Sequence, residues 1–190
     1  SIGDSWTMLH TGIASDFQTD MLKLDEDVAV TDNNVFWNDT APTSSVFTVD
    51  GSGGETKVNA NTYNYIAYCF ADIQGYSKFG SYTGNNNTNG SFIYTGFKPA
   101  WVMIKEVAAS GSWHMFDNKR TPGNLANKFL YADLTDAEGT GSPGNSIDMY
   151  SNGFKCRGTG NDTNGDGNKY IYLAFAEHPF VSSKGVPVTA

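Results

Sequence analysis

One loop near the C-terminus carries oxygen-bearing side chains at a spacing that suits a metal ion. Asp162, Asn164 and Asp166 occupy alternate positions, and Gly167 follows where a sharp turn is needed. This is the beginning of a calcium loop of the EF-hand type, in which oxygen ligands surround a hard cation. The twelfth position, which would hold a bidentate Glu, is Leu173. Two interpretations stay open, a calcium site and an ordinary polar turn, since short Asp, Asn and Gly tracts are common in turns.

Aromatic side chains suggest a second kind of chemistry, the binding of carbohydrate. A Tyr or Trp ring packs its face on sugar C–H groups, while polar neighbours bind the hydroxyl groups. The chain has 10 Tyr and 4 Trp among 190 residues. Most of these fit core positions, and we assign Trp6, Trp101 and Trp113 to the core. The candidates for a sugar-binding surface are Trp37, Tyr76, Tyr82 and Tyr150.

The sequence gives little support for catalysis, and we predict that the protein is not an enzyme. None of His10, His114 and His178 has a spacing suited to a metal pair on one helix or strand. If its strand alternates regularly, His114 faces solvent. Cys69 and Cys156 have no activating His nearby, and we interpret them as buried free thiols, with a disulfide as the alternative.

Composition and charge exclude two classes of partner. The net charge is −8, and the 12 Lys and Arg residues are too scattered to form a basic face. Binding to a nucleic-acid backbone requires such a face, so we expect no nucleic-acid partner. No apolar run reaches the roughly 18 residues that a membrane-spanning helix needs, so we expect no membrane insertion.

Short apolar segments separated by Gly, Asn, Ser and Pro predict an all-β protein with little helix. Asn152-Gly153 lies between two such segments, a strong signal for a β-hairpin. Many short strands with frequent turns favour a sandwich or a barrel. Residues 125–138 tolerate a helix, but residues 129–131 suit a strand equally well, so we predict no regular structure for this region. The clearest predicted strands are residues 6–8, 46–49, 65–71, 78–82, 91–94, 100–104, 113–116, 147–150, 153–157 and 169–176.

An internal repeat organises these strands. Residues 65–71 (YIAYCFA) resemble residues 170–176 (YIYLAFA) at a spacing of 105, since 170 − 65 = 105. The sequence around Trp6 resembles the sequence around Trp113, at a spacing of 107 residues (113 − 6 = 107). Phe47 corresponds to Phe154 at the same spacing (154 − 47 = 107). We therefore predict a sandwich built from two related antiparallel β repeats that pack as one unit.

The repeat also predicts the domain organisation. The first copy comprises residues 1–75, the second residues 76–180, and residues 181–190 form an extended tail. The strand at residues 100–105 precedes Trp113, whereas only five residues precede Trp6, so the first copy lacks its initial strand. This difference suggests that the chain is a piece of a longer polypeptide.

Five segments of the sequence have distinctive residue patterns: residues 37–47, 65–71, 75–84, 94–105 and 151–154. They resemble a repeated domain found in virion proteins of marine bacteriophages, which are tail-fibre-like or uncharacterised. The resemblance covers nearly the whole chain and implies a β-rich structural module on the virion surface, outside the host cell. Its implied partners are other virion proteins, further copies of the chain and a host-surface glycan. It implies no catalytic residues.

Three kinds of function follow from these observations. The first is a tail-fibre or receptor-attachment scaffold that displays polar loops such as residues 84–90 and 158–168. The open edge of its first copy would favour strand donation and oligomerisation. The second is a capsid decoration protein, which requires a large apolar patch. The third is a carbohydrate-binding module, which requires a solvent-facing aromatic cluster ringed by polar groups. A hydrolase would need an acid/base pair in a cleft.

Overall fold

The structure, a computed structural model, describes residues 5–50, 56–61, 63–141 and 144–179. Strands are the main regular secondary structure of the described residues and form three antiparallel sheets, which confirms the predicted all-β class with little helix. The helical elements are short: a 3₁₀ helix at Phe17–Thr19, α1 (Asn34–Trp37), α2 (Thr56–Asn59) and α3 (Asn161–Asn164). The strands are β1 (Thr7–Met8), β2 (Asp20–Lys23), β3 (Thr31–Asp32), β4 (Ser77–Thr83), β5 (Phe92–Tyr94), β6 (Pro99–Glu106), β7 (His114–Asp117), β8 (Lys128–Tyr131), β9 (Gly139–Thr140), β10 (Ile147–Tyr150), β11 (Gly153–Cys156) and β12 (Lys169–Ala176).

The largest sheet has the strand order β4-β12-β6-β7-β8-β9. Strand β12 lies between β4 and β6 and pairs antiparallel with both. Because successive side chains of a strand point to opposite faces, β12 contributes to two cores. Tyr170, Tyr172 and Ala174 lie in one core, and Ile171 and Leu173 lie in the other. Burial on both faces explains why the sequence of β12 is almost continuously apolar.

The two smaller sheets cover the two faces of the largest sheet. On one face, Ile93 and Phe154 of the sheet β10-β11-β5 pack in the core that contains Tyr172. On the other face, Leu22 of the sheet β1-β2-β3 packs in the core that contains Trp113. The predicted sandwich is therefore present, with a third layer of strands added.

Sheet β1-β2-β3 pairs in the same register as strands β7-β8-β9. Equivalent residues of the first strands are 107 apart (115 − 8 = 107), and those of the second strands are 108 apart (130 − 22 = 108). Two copies of one unit would give this agreement, and the organisation of the chain as two repeats stays a prediction. The equivalent pairs are Met8–Leu22 and Met21–Thr31 in the small sheet, and Met115–Leu130 and Phe129–Gly139 in the large sheet.

Two segments predicted as strands have no regular secondary structure. Residues 65–71 lie at the surface, where Ile66 is 72% exposed. Residues 46–49 are likewise irregular, and Val46 is 62% exposed. These predictions were wrong because an apolar segment becomes a strand only where another strand pairs with it and a further layer covers it. Among the described residues, neither segment has such surroundings.

Three further predictions need correction. Trp6 was assigned to the core but is 54% exposed, whereas Trp113 is fully buried. Cys69 was interpreted as buried but is exposed, while Cys156 is a buried free thiol as predicted. Residues 125–138, predicted to be irregular, contain strand β8. The predicted tail, residues 181–190, lies outside the described residues.

Candidate functional site

Three exposed aromatic side chains lie together on the outer side of the sheet β10-β11-β5. Phe92 and Tyr94 flank the buried Ile93 on β5, and Tyr150 is the last residue of β10. Tyr94 is 65%, Phe92 47% and Tyr150 37% exposed. The ring centres of Phe92 and Tyr150 are 5.9 Å apart, with the rings inclined at 64°. We refer to Phe92, Tyr94 and Tyr150 as the aromatic face.

Gly153 allows the strands that carry the aromatic face to approach each other. It pairs with Tyr94 on one side and with Tyr150 on the other. A Cβ atom at Gly153 would lie only 2.1 Å from the carbonyl oxygen of Ile93 and 3.0 Å from the Phe92 ring. The missing side chain therefore leaves the space into which the Phe92 ring extends.

Charged and amide groups surround the aromatic face. The Tyr150 hydroxyl donates to Asp148 Oδ2 at 3.1 Å, and the same oxygen lies 3.3 Å from Arg157 Nε. Lys155 Nζ donates to Asn89 Oδ1 at 2.5 Å. The bond to Asp148 raises the pKa of Tyr150 above its ordinary value of 10. Exposed rings beside fixed polar groups suit a sugar, whose C–H faces need the rings and whose hydroxyls need the polar groups.

Next to Phe92 in the sequence, the polar loop at residues 84–90 is held in place by one buried amide. Asn164 Nδ2 donates to the carbonyl oxygens of Gly158 at 2.8 Å and of Asn87 at 3.0 Å. Asn164 Oδ1 accepts from the backbone N–H of Asn85 at 3.1 Å. The side chain of Asn164 thus joins the two polar loops that the sequence singled out.

A buried polar network contacts the other polar loop, residues 158–168, through Asp162. His114, predicted to face solvent, is fully buried because both faces of its strand are covered. Its Nδ1 bonds to the Ser112 carbonyl oxygen at 3.0 Å, and its Nε2 lies 3.0 Å from Asn145 Nδ2. Asn145 Nδ2 also donates to Asp162 Oδ2 at 3.2 Å. Burial lowers the pKa of His114, which favours the neutral ring that this network requires.

The three residues of the predicted calcium loop have different surroundings. Asp162 bonds to Asn145, Asn164 Oδ1 bonds to the loop at residues 84–90, and Asp166 is exposed in a turn. In the part of the chain that the structure describes, no group of three or more His, Cys, Asp or Glu side chains is placed to hold a metal ion. Calcium binding by Asp162, Asn164 and Asp166 stays a prediction.

The four residues predicted to bind sugar belong to separate parts of the structure. Tyr150 is on the aromatic face. Trp37 is only 7% exposed and packs in the small core beneath β2. Tyr82 is half-buried, and its ring stacks on Tyr170 with centres 5.0 Å apart. Tyr76 is 36% exposed and lies in a different aromatic cluster. The geometry therefore favours Tyr150 among the four.

Sequence reasoning missed Phe92 and Tyr94 as candidate binding residues. The segment was identified as a strand, but Phe92, Ile93 and Tyr94 show no alternation of apolar and polar residues. Only one face of a strand in an outer layer meets the core, so either Ile93 or its two neighbours had to face outward. The pattern alone did not decide which, because all three side chains are apolar or aromatic.

The fold and the aromatic face define a class of protein, a layered all-β module with an exposed aromatic surface. Over residues 1–179 the sequence matches a family described as a domain of unknown function (DUF7483), and the chain belongs to this family. No curated protein and no solved structure matches the chain. Within the described residues, no helix has the length and apolar character needed to cross a bilayer.

Proposed function

We propose that the protein is a structural module of a bacteriophage virion surface, of the tail-fibre type, that attaches to a host-surface glycan through the aromatic face. The observation that carries the attachment role is the exposed trio Phe92, Tyr94 and Tyr150 within a ring of polar groups. The virion assignment is supported by the sequence resemblance described above.

A rigid backing makes the aromatic face suitable for binding. Ile93, Met149 and Phe154 lie on the opposite side of the same strands, and all three are buried in the main core. Their packing fixes the strands that carry the exposed rings. A site that is fixed before binding loses less conformational entropy when a ligand arrives. A sheet surface of this kind therefore suits repeated, reversible contact with a cell surface.

The charge of the protein favours an uncharged glycan. The net charge of −8 creates a field that repels acidic polysaccharides at low ionic strength. At the aromatic face, Arg157 is already paired with Asp148 at 3.3 Å. The expected ligand is therefore a neutral sugar with an apolar C–H face.

A glycan array probed with the purified chain tests the attachment role. Wild-type protein is expected to bind a set of neutral glycans, and Tyr94→Ser and Tyr150→Ser are expected to lose that binding. Tyr68→Ser is the matched control, because Tyr68 is 68% exposed but lies outside the aromatic face. If no glycan binds, or if all three variants bind like the wild type, the attachment role is wrong.

Capsid decoration is a second candidate, favoured by the exposed apolar residues Ile66, Tyr68 and Phe70, which are 72%, 68% and 62% exposed. A decoration protein would use such a patch against a capsid lattice. Electron microscopy of purified particles labelled with an antibody against this chain distinguishes the two locations. We expect label on the tail; label on the head would favour decoration, and unlabelled particles would contradict both.

A further inference from the structure

The first copy contains an exposed segment whose counterpart in the second copy is a buried strand. We refer to residues 63–71 as the open segment. At the spacing of 105 (171 − 66 = 105), Ile66 corresponds to Ile171 and Tyr68 to Leu173. Ile66 is 72% and Tyr68 68% exposed, whereas Ile171 and Leu173 are 0% and 6% exposed. Two segments of similar sequence therefore differ in whether other strands cover them.

Hydrogen bonds before each segment show that this correspondence is also structural. In each copy a short helix precedes the segment, and two bonds around that helix recur at equivalent positions. One involves the hydroxyl of Tyr65 or of its counterpart Tyr170, and the other involves the last residue of the helix, which is Asn in both copies. The bonds are Ala60 N to Tyr65 OH (2.8 Å) and Asn59 Nδ2 to Asp50 O (2.6 Å) in the first copy, and Gly165 N to Tyr170 OH (2.7 Å) and Asn164 Nδ2 to Gly158 O (2.8 Å) in the second.

The second copy shows what covers such a segment. Strand β6 pairs antiparallel with β12 along almost its whole length, with Leu173 opposite Met103 and Ala174 opposite Val102. Among the described residues, no strand pairs in this way with Ile66, Tyr68 or Phe70 of the first copy.

We propose that the open segment accepts an antiparallel strand with the residue pattern of β6, supplied by a further repeat unit of the same family. Backbone hydrogen bonds of an added strand give affinity, and its alternate side chains give specificity. Apolar side chains beside the open segment would meet the new strand. The Phe70 ring lies 5.9 Å from the Phe79 ring, and the Tyr68 ring lies 6.2 Å from the Trp6 ring.

A synthetic peptide with the sequence of residues 98–107, flanked by lysines for solubility, tests the proposal on the full chain. Binding is measured by fluorescence anisotropy, and the site is located by amide hydrogen exchange. We expect the peptide to bind and to slow exchange within the open segment. A peptide in which Pro replaces Met103 is the matched control, because Pro cannot donate to a strand ladder.

Variants of the chain locate the contact. Ala67→Pro removes one backbone donor from an exposed position and should weaken peptide binding by about tenfold. Tyr94→Ser, on the aromatic face, should leave peptide binding unchanged. Because the two surfaces are separate, failure of the glycan test would not affect this result.

Three outcomes would overturn the proposal. The first is the absence of peptide binding to correctly folded wild-type protein, verified by circular dichroism. The second is equal binding of the wild-type and Pro-containing peptides. The third is self-association of the chain through the open segment that the peptide does not compete with, since the occupant would then be a second copy.

Discussion

Trp6 and Trp113 have the same backbone hydrogen bonds but very different surroundings. The N–H of Trp6 donates to Asp25 Oδ1 at 2.8 Å, and the N–H of Trp113 donates to Asp133 Oδ1 at 2.9 Å. Trp113 is nevertheless fully buried, whereas Trp6 is 54% exposed. Equivalent local structure thus occurs once within a complete core and once at the surface.

This difference predicts unequal costs for the same substitution. Trp113→Ala should lower the free energy of unfolding by about 3–5 kcal/mol, because it leaves a large cavity. It also removes the bond from Trp113 Nε1 to the Lys23 carbonyl oxygen. Trp6→Ala should cost about 1 kcal/mol or less, as for most surface substitutions. Urea unfolding of both variants measures the difference, and equal costs would contradict the assigned burial.

The buried amide of Asn164 predicts a strong effect on stability. Asn164→Ala removes two hydrogen bonds that the amide donates to backbone carbonyl oxygens and one that it accepts from a backbone N–H. These three backbone groups then lose the hydrogen bonds that residue 164 makes with them. We expect a loss of about 2–4 kcal/mol in urea unfolding. Asn152→Ala, at an exposed turn position, is the control and should change stability by less than about 0.5 kcal/mol. A small effect at Asn164 would show that the two loops do not depend on it.

Two buried histidines predict that stability falls as the medium becomes mildly acidic. Burial lowers the pKa of both His10 and His114 from the ordinary value of 6.5. The unfolded chain therefore binds protons more readily than the folded chain below pH 6.5. The stabilisation is fully present above that pH and is lost as the pH falls toward the folded-state pKa values.

Urea unfolding between pH 7.5 and pH 5.5 measures this effect. Each histidine can contribute up to about 1.4 kcal/mol for each unit by which its pKa is lowered. Burial raises the pKa of Glu106, which makes stability change in the opposite direction. Comparison with His114→Gln therefore separates the contribution of His114 from that of Glu106. The variant should lose less stability than the wild type over this pH range; an identical loss would contradict the prediction.

The two cysteines should react at very different rates. Cys69 is exposed, whereas Cys156 is buried and its pKa is raised by burial to about 12. Because the thiolate is the reactive form, a thiol reagent at pH 8 should label Cys69 in the native protein and Cys156 only after unfolding. A colorimetric thiol titration, with Cys69→Ser as the control, measures this difference. Rapid labelling of both thiols in the native state would contradict the assigned packing.

Much of the fold followed from local patterns in the sequence. The hairpin of β10 and β11 was predicted from Asn152-Gly153, and β12 from its apolar run. Residues 65–71 have a similar run, yet they are exposed. The sequence of a segment records its preference for strand structure, but burial depends on partners that are distant in the chain or outside it.

The candidate site was only partly predictable for the same reason. Tyr150 was identified from its residue type, but Phe92 and Tyr94 were not. The missing information was the strand pairing that places Tyr94 opposite Gly153 and Gly153 opposite Tyr150. His114 was misassigned because an extra layer covers the face of its strand that was expected to meet solvent. Both features depend on contacts between segments far apart in the sequence.

The central claim is that residues 63–71 and β12 have similar sequences but only β12 is covered by neighbouring strands. Amide hydrogen exchange of the free protein, measured by mass spectrometry, tests this claim most directly. The backbone amides of residues 63–71 should exchange at the earliest time points, because these residues are exposed and irregular. Those of β12 (Lys169–Ala176) should stay protected until the protein unfolds globally, because β12 pairs on both sides. Equal protection of the two segments would contradict the account.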